Sequence, residues 1–229
     1  IQEVVNVCAS IDSLEKTKAL MEKYSFVYGA FGIHPDDAEL VTEEVLDKIR
    51  ECCGLEKAVA VGEIGLDYYW HKEAGEHELQ KKVFRQQMEI ARELHMPFMV
   101  HSREAAADTL DLVKDCVNEG MYGGIIHCFS YGKEMAREYL NMGLYLGIGG
   151  VVTFNNARKV KEVVEYAPLE QIVLETDSPY LSPVPYRGKR NCSLNLPLVA
   201  EEIGRIKGIS SEEVVRVTGD NARRLLLRK

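Results

Sequence analysis

The chain is poor in several residue types whose abundance would mark a particular class of protein. It has one tryptophan in 229 residues, an aromatic fraction of 8%, and fewer Lys and Arg residues (28) than Asp and Glu residues (36). The resulting net charge of −8 argues against a protein that coats nucleic acid without specificity, since that mode needs a broad basic face. It does not exclude an enzyme that holds a few phosphates at one place.

Long apolar runs are also absent. No stretch approaches the roughly 18 apolar residues of a membrane span, and no basic segment followed by an apolar one marks a secretory signal. The six cysteines form no CxxC pair and show no zinc-ribbon spacing. We therefore expect reduced thiols that mostly pack in the interior, a cytoplasmic protein, and no membrane association.

Short apolar runs alternate with longer amphipathic ones along the chain. The short runs with the composition of strands are 1–9, 26–33, 57–64, 97–102, 124–129, 144–149 and 171–176. The clearest helical pattern covers residues 73–95. Strands that alternate with helices predict parallel βαβ units. Because no linker or low-complexity segment interrupts the pattern, we expect a single domain, 1–229.

Polar residues at the strand ends favour one of the two common parallel folds. His34, Glu63, His101, His127 and Asp177 each lie at or just after the C-terminal end of a predicted strand. A doubly wound sheet concentrates its chemistry near one switch point, whereas a TIM-type barrel gathers residues from many strand ends on one face. The sequence therefore predicts an α/β fold of the TIM-type (β/α)8 barrel class. Seven predicted strands, where eight are needed, imply that the first βα unit is missing from this sequence.

In such a barrel Glu63, His101, His127 and Asp177 would converge. Two imidazoles and two carboxylates form a typical ligand set for Zn, Mn, Co or Fe, or for Mg when water fills more positions. A bound cation would also explain how the carboxylate of Glu63 tolerates its place at the end of a buried apolar run.

Each of these residues has a simpler explanation when it is considered alone. Glu63 could pair with Arg103, and Asp177 in the sequence TDSP could organise a turn. Four such residues at equivalent strand ends are harder to explain as coincidence. Cys128 follows His127 directly, so the alternation of side chains along a strand predicts that it faces away and is not a ligand.

Two groups of basic residues are candidates for holding an anion. Arg103 follows His101 by two residues, and the segment YRGKRN (186–191) follows Asp177 closely. The cations of that segment are Arg187, Lys189 and Arg190. Arginine forks suit phosphate oxygens. A solvated basic turn is an equally ordinary explanation of the segment alone, but its place beside the predicted metal site favours phosphate.

Taken together, these segments resemble the TatD family of metal-dependent deoxyribonucleases, within the amidohydrolase-like barrels. The matching stretches are FGIHPDDA, VGEIGLDYY, VHSREA, HCFS, GVVTFNNA, LETDSPYLSPVPYRGKRN and TGDNARRLL. The resemblance implies a (β/α)8 barrel that hydrolyses phosphodiester bonds in DNA, often from a 3′ end. It also implies two adjacent divalent metal ions, which we expect to be Mg, Mn or Zn.

The resemblance assigns roles to individual residues. Glu63 matches the carboxylate that bridges the metals, His101 and His127 the remaining ligands of one metal, and Asp177 a ligand of the other. Glu63 and Asp177 are thus the expected catalytic residues, with Asp177 accepting a proton from the attacking water. His34 is expected to bind substrate together with Arg103 and the basic segment.

One family feature has no counterpart in the sequence. The family carries a His-x-His pair at the end of its first strand, and no histidine precedes His34 here. A barrel of about 250 residues assigns about 30 to each βα unit. We therefore expect the natural protein to begin about 20–30 residues before Ile1 and to supply the pair there.

The leading hypothesis is a monomeric phosphodiesterase that binds DNA locally at the strand ends. Two alternatives stay open. The same metal centre could hydrolyse a small amide, ester or lactone, because a fold and a metal do not fix the substrate. The chain could also be a non-catalytic nucleic-acid-binding relative, since the His-x-His pair is missing. Basic groups near the site favour phosphate, whereas a small apolar pocket would favour the small substrate.

Overall fold

A computed structural model describes residues 1–227 of the chain. Its strands are β1 Val4–Val7, β2 Val27–Phe31, β3 Ala58–Asp67, β4 Phe98–Arg103, β5 Gly124–Ile126, β6 Tyr145–Ile148 and β7 Ile172–Leu174. Within this described range the predicted strands are all confirmed, with shorter bounds in most cases. Two strands run past their predicted ends: β3 continues to Asp67, three residues further, and β4 to Arg103, one residue further.

The α-helices are α1 Ile11–Lys23, α2 Glu43–Cys53, α3 Ala74–Glu93, α4 Ala106–Asn118, α5 Lys133–Asn141, α6 Arg158–Tyr166, α7 Leu196–Lys207 and α8 Ser211–Leu226. Short 3₁₀ helices cover Pro35–Leu40, Gly150–Thr153, Leu169–Gln171 and Ser193–Asn195. The predicted helix over 73–95 is confirmed as α3. No helix in the described part of the chain combines the length and the apolar character needed to cross a membrane.

The chain divides into two compact units. One comprises residues 2–125, and the other the described residues from Ile126 onwards together with Ile1. We call them the N-terminal unit and the C-terminal unit. The single domain expected from the sequence stays a prediction.

In the N-terminal unit the strands lie side by side in chain order, and β1 to β4 pair in parallel. Fully buried side chains such as Phe31, Ile64 and Phe98 form its core. Parallel strands end at the same edge of a sheet. The segments that follow β2, β3 and β4 therefore begin next to one another, which places the predicted site residues of this unit together.

Two buried glutamines of α3 extend the hydrogen bonding of these strand ends. The backbone N–H of Ile33 donates to Gln87 Oε1 (2.8 Å), and Gln87 Nε2 donates to the Ile33 carbonyl (3.1 Å). Gln80 makes the same pair of bonds with the backbone of Asp67, at 3.0 and 3.2 Å. Each amide side chain is thus satisfied inside the protein, and α3 fixes the backbone where β2 and β3 end.

In the C-terminal unit β6 and β7 pair in parallel, with Leu146 opposite Ile172 and Ile148 opposite Leu174. Asn221 of α8 donates to the carbonyl oxygens of Leu169 and Ile172, both at 2.8 Å, and so ties α8 to the start of β7.

A charge cluster joins two helices of the same unit. Glu202 of α7 accepts from Arg205 at 2.8 Å and lies 3.1 Å from Lys161 of α6. The hydrogen bond from Arg205, followed by that from Lys161, lowers the pKa of Glu202 to about 2.

Candidate functional site

In the N-terminal unit, His101 lies between two carboxylates. Its Nδ1 is 3.1 Å from Glu63 Oε1, and its Nε2 is 3.2 Å from Asp67 Oδ2. The register explains the arrangement, because His101 on β4 pairs with Gly65 on β3, and the two acids flank that glycine by two residues on either side. A side chain at Gly65 would collide with the backbone of His101, so the close approach of the two strands requires glycine here.

His34 lies beside this arrangement, at the start of the 3₁₀ helix that follows β2. Its ring centroid is 4.3 Å from that of His101, and its Nε2 is 3.9 Å from Glu63 Oε1. The backbone N–H of Asp36 donates to His34 Nδ1 at 3.2 Å, which leaves Nε2 to face Glu63. The hydrogen bond with His34 also lowers the pKa of Asp36.

Asp67 connects His101 to the loop that follows β3. While one oxygen faces His101, the other accepts backbone hydrogen bonds from Tyr69 (2.8 Å) and Trp70 (3.3 Å). Asp67 is 1% exposed. Burial by itself would raise the pKa of this carboxyl group, but the bond with His101 and the two backbone donors outweigh it and lower the pKa. Hydrogen bonding thus favours the charged form of this buried carboxyl group.

The C-terminal unit repeats the pattern. His127 Nδ1 is 2.7 Å from Glu175 Oε2, and His127 Nε2 is 3.4 Å from Asp177 Oδ1. The second oxygen of Glu175 accepts from the backbone N–H of Cys128 at 2.9 Å. Gly147 of β6 leaves room for the Glu175 carboxylate, since a side chain there would overlap it. Each unit therefore contains a histidine with a carboxylate at both of its ring nitrogens.

The donor atoms fit a divalent cation. Two groups of residues have potential ligand atoms that all lie within 4.8 Å of one another: His34, Asp67 and His101 in the N-terminal unit, and His127, Cys128 and Glu175 in the C-terminal unit. Imidazole nitrogen and carboxylate oxygen suit Zn and Mn. A histidine that binds a metal through one nitrogen commonly donates the other N–H to a carboxylate, and both histidines have such a partner.

Sequence reasoning located part of each arrangement. The N-terminal unit brings Glu63 and His101 together, and the C-terminal unit brings His127 and Asp177 together. His34, expected to bind substrate, lies within reach of the candidate ligands. That Glu63, His101 and His127 bind one ion stays a prediction.

The prediction for Cys128 was wrong in its geometry. The side chain was expected to face away from His127 because neighbours in a strand alternate. β5 ends at Ile126, however, and Cys128 has a φ of 44°, so the alternation does not reach it. Its sulfur lies with the ligand atoms of His127 and Glu175.

Asp67 and Glu175 are the candidate site residues that the sequence reasoning missed. Both follow a buried apolar run, as Glu63 does. The criterion that selected Glu63 would have found Asp67 if β3 had been predicted to its true end. Glu175 was passed over because Asp177, two residues later, was assigned the role of the acid after this strand.

The predicted phosphate-binding cations are exposed. Arg103, at the end of β4, stacks its guanidinium 3.9 Å from the ring centroid of Tyr69, and Arg187 stacks 4.3 Å from that of Phe154. Lys189 and Arg190 are also exposed. Among the residues that the structure describes, none of these four cations has a carboxylate within ion-pair distance. Their charge is available to an external anion.

Residues 1–227 match the family described as TatD related DNase. The chain belongs to the TatD family. A TatD family protein is a metal-dependent hydrolase, which agrees with the two histidine–carboxylate arrangements.

Two relatives and one solved structure illustrate the similarity. The uncharacterized metal-dependent hydrolase YabD of Bacillus subtilis (strain 168) is 42% identical over 225 residues, which are 98% of this chain and 87% of that protein. The 3′-5′ ssDNA/RNA exonuclease TatD of Rahnella sp. (strain Y9602) is 31% identical over 219 residues, 93% of this chain and 82% of that one. YJJV, a TatD homologue from Escherichia coli K12, aligns with a TM-score of 0.92 at 24% identity, over 100% of this chain and 88% of that chain. The predicted α/β fold of the TIM-barrel class is confirmed by this likeness.

Proposed function

We propose that this TatD family hydrolase cleaves phosphodiester bonds in DNA and acts as an exonuclease from the 3′ end. The observation that carries the proposal is that each unit combines a histidine flanked by two carboxylates with exposed cations that have no carboxylate partner among residues 1–227. The name of the Rahnella relative, a 3′-5′ exonuclease, supports the same reaction.

The proposed ligands are Glu63 and His101 in the N-terminal unit and His127 and Asp177 in the C-terminal unit. We propose that the protein binds two divalent ions, with Mg, Mn or Zn as the candidates. When bound, such ions lower the pKa of water and neutralise the charge that builds on phosphate oxygens. Asp67 and Glu175 orient the imidazoles of His101 and His127 from their second nitrogens.

Asp177 is the proposed proton acceptor. Its side chain is 31% exposed, so water and substrate can reach it, and its Oδ1 lies 3.4 Å from His127 Nε2. A carboxylate in this position can take the proton of the attacking water. Arg103 and Arg187 are the proposed partners of non-bridging phosphate oxygens, since neither guanidinium has a carboxylate within ion-pair distance among the described residues.

The test uses the purified protein and a single-stranded DNA oligonucleotide labelled at its 5′ end. With Mg or Mn we expect a ladder of products that shorten from the 3′ end, and with EDTA we expect none. DNA that stays intact under all metal conditions would reject the nuclease. If a small ester or lactone is then hydrolysed in an EDTA-sensitive way, the protein is the small-substrate hydrolase. DNA binding without hydrolysis of either substrate would favour the non-catalytic relative.

We further propose that the protein is a monomer in the cytoplasm. No disulfide joins any of the six cysteines in the described range, as expected for a reducing compartment. Light scattering at the concentration of the nuclease assay measures the oligomeric state.

A further inference from the structure

The loop after β3 presents two aromatic side chains to solvent. Trp70 is 65% exposed and Tyr69 is 38% exposed, although aromatic residues ordinarily bury most of their surface. Their rings meet edge to face, with centroids 4.6 Å apart. The pair thus forms an exposed aromatic surface, and Trp70 is the single tryptophan of the chain.

Positive charge borders this aromatic pair. The guanidinium of Arg103 lies 3.9 Å from the centroid of Tyr69 and 5.7 Å from that of Trp70. Lys72 Nζ lies 5.4 Å from the Tyr69 ring and 3.4 Å from Glu104. Arg103 has no such carboxylate within the described residues. Arg103 covers one face of Tyr69, so the surface offers chiefly the exposed ring of Trp70, beside a cation with no carboxylate partner in the described residues.

The loop that carries the pair is held firmly. Asp67 accepts from the backbone N–H groups of Tyr69 and Trp70. Tyr68 stacks on His77 with ring centroids 3.6 Å apart and 15° between the planes, and its hydroxyl donates to Asp108 at 2.7 Å. Anchored residues thus restrict the loop that carries the exposed rings, so little conformational entropy is lost when a ligand binds to them.

We propose that Trp70 and Tyr69 form a stacking platform for an unpaired base of single-stranded DNA, while Arg103 binds the adjacent phosphate. The inference rests on the proposed nuclease function and specifies which residues hold a base of the strand. Aromatic side chains bind single strands because every base has a π-face, and a neighbouring arginine adds charge and stacking.

The position of the platform supports this assignment. Asp67 hydrogen-bonds both to His101 and to the backbone of Tyr69 and Trp70, so the platform begins two residues from a side chain of the candidate metal site. A base on the platform would therefore belong to a nucleotide close to the bond that is cleaved. Bases in a duplex are already stacked on their neighbours, so the platform favours a single strand over a duplex.

The single tryptophan gives a direct measurement. Intrinsic fluorescence of the wild-type protein is titrated, in EDTA to prevent cleavage, with an oligo-dT strand and with an abasic strand of equal length. The two strands carry the same phosphates and differ in their bases. We expect oligo-dT to quench the emission and the abasic strand to leave it unchanged. Equal effects of the two strands, or no effect of either, would overturn the platform.

Variants measure the contribution of the ring. Trp70→Ala should weaken oligo-dT binding by about 5- to 150-fold, the range for loss of one base–aromatic stack, and Trp70→Phe should retain most of the affinity. Phe26, an aromatic side chain of the same unit that is 46% exposed, provides the matched control as Phe26→Ala. Equal losses in Trp70→Ala and Phe26→Ala would contradict a specific platform.

The DNA ladder assay separates this inference from the proposed function. Selective quenching without cleavage would reject the nuclease and support the platform. Cleavage without selective quenching would support the nuclease and reject the platform. A shift in tryptophan emission that depends on protein concentration, in the absence of DNA, would show that a second copy covers the rings. That result would also overturn the proposal.

Discussion

Asp67 and His101 are joined through a contact of 3.2 Å between Oδ2 and Nε2, while the other oxygen of Asp67 holds the Tyr69–Trp70 backbone. One buried carboxylate therefore sets both the orientation of a candidate metal ligand and the position of the aromatic pair. Disturbing it should affect metal binding and strand binding together.

We predict that Asp67→Asn lowers metal affinity by about 10- to 100-fold, the range for loss of an orienting partner behind a ligand histidine. The amide oxygen can still accept from the loop backbone, so the fold should persist. Calorimetric titration with Mn or Zn and far-UV circular dichroism measure the two effects. Asp111→Asn, at an exposed position of α4, is the control. Unchanged affinity in Asp67→Asn would show that His101 does not depend on this partner.

For Asp177→Asn we predict a fall in turnover of about 10²- to 10⁴-fold with the fold intact, because an amide cannot accept the proton of the attacking water. Single-turnover cleavage of labelled DNA gives the rate, and thermal unfolding reports the fold. Glu201→Gln, an exposed acid of α7 in the same unit, serves as the control. Near wild-type cleavage would return Asp177 to the role of organising the TDSP turn.

Replacing Arg187, Lys189 and Arg190 together by alanine should weaken DNA binding and flatten its dependence on salt. Each lost phosphate contact reduces the slope of log affinity against log salt by about 0.7 for a single strand and 0.9 for a duplex. The control replaces three exposed lysines, Lys48, Lys82 and Lys114, and so removes the same charge elsewhere. If both triple variants shift the slope equally, the basic segment has no special role and only net charge matters.

The cluster around Glu202 should contribute stability that depends on pH. The folded pKa of about 2 lies below the ordinary value of 4.5, so the contribution is complete above pH 4.5 and is lost as the pH falls towards 2. We expect Glu202→Gln to cost about 1 kcal/mol at pH 7, a value reduced for solvent screening. Urea unfolding of both proteins between pH 7 and pH 3 should show the difference shrinking with acid. A constant difference would mean that packing, not charge, is lost.

The fold was largely predictable because strand and helix patterns alternate without interruption. The apolar runs fixed the positions of the strands, and α3 was visible as an amphipathic segment. Strand ends were less visible, since hydrogen bonds from other elements decide where pairing stops. β3 reaches Asp67 because β4 pairs with it up to Arg103, and no local pattern reports that pairing.

The site was predictable in its histidines and in one carboxylate of each arrangement. The second carboxylates, Asp67 and Glu175, were not predicted. Whether a carboxylate orients a histidine depends on which ring nitrogen it faces, and packing decides that. The position of Cys128 was not predictable either, because it depends on a backbone conformation that the sequence pattern does not show. Its positive φ turns the chain after β5, and alternation within a strand cannot anticipate such a turn.

The paired glutamines of α3 have a consequence for engineering. Gln80 and Gln87 are seven residues apart, about two helical turns or roughly 10 Å along the axis. Gln80 forms two hydrogen bonds with the backbone of Asp67, and Gln87 forms two with the backbone of Ile33. The helix thus fixes the distance between the backbone next to His34 and the backbone at Asp67. Grafting these strand ends onto another scaffold would require α3 to be carried along, or a substitute with two amides at the same interval.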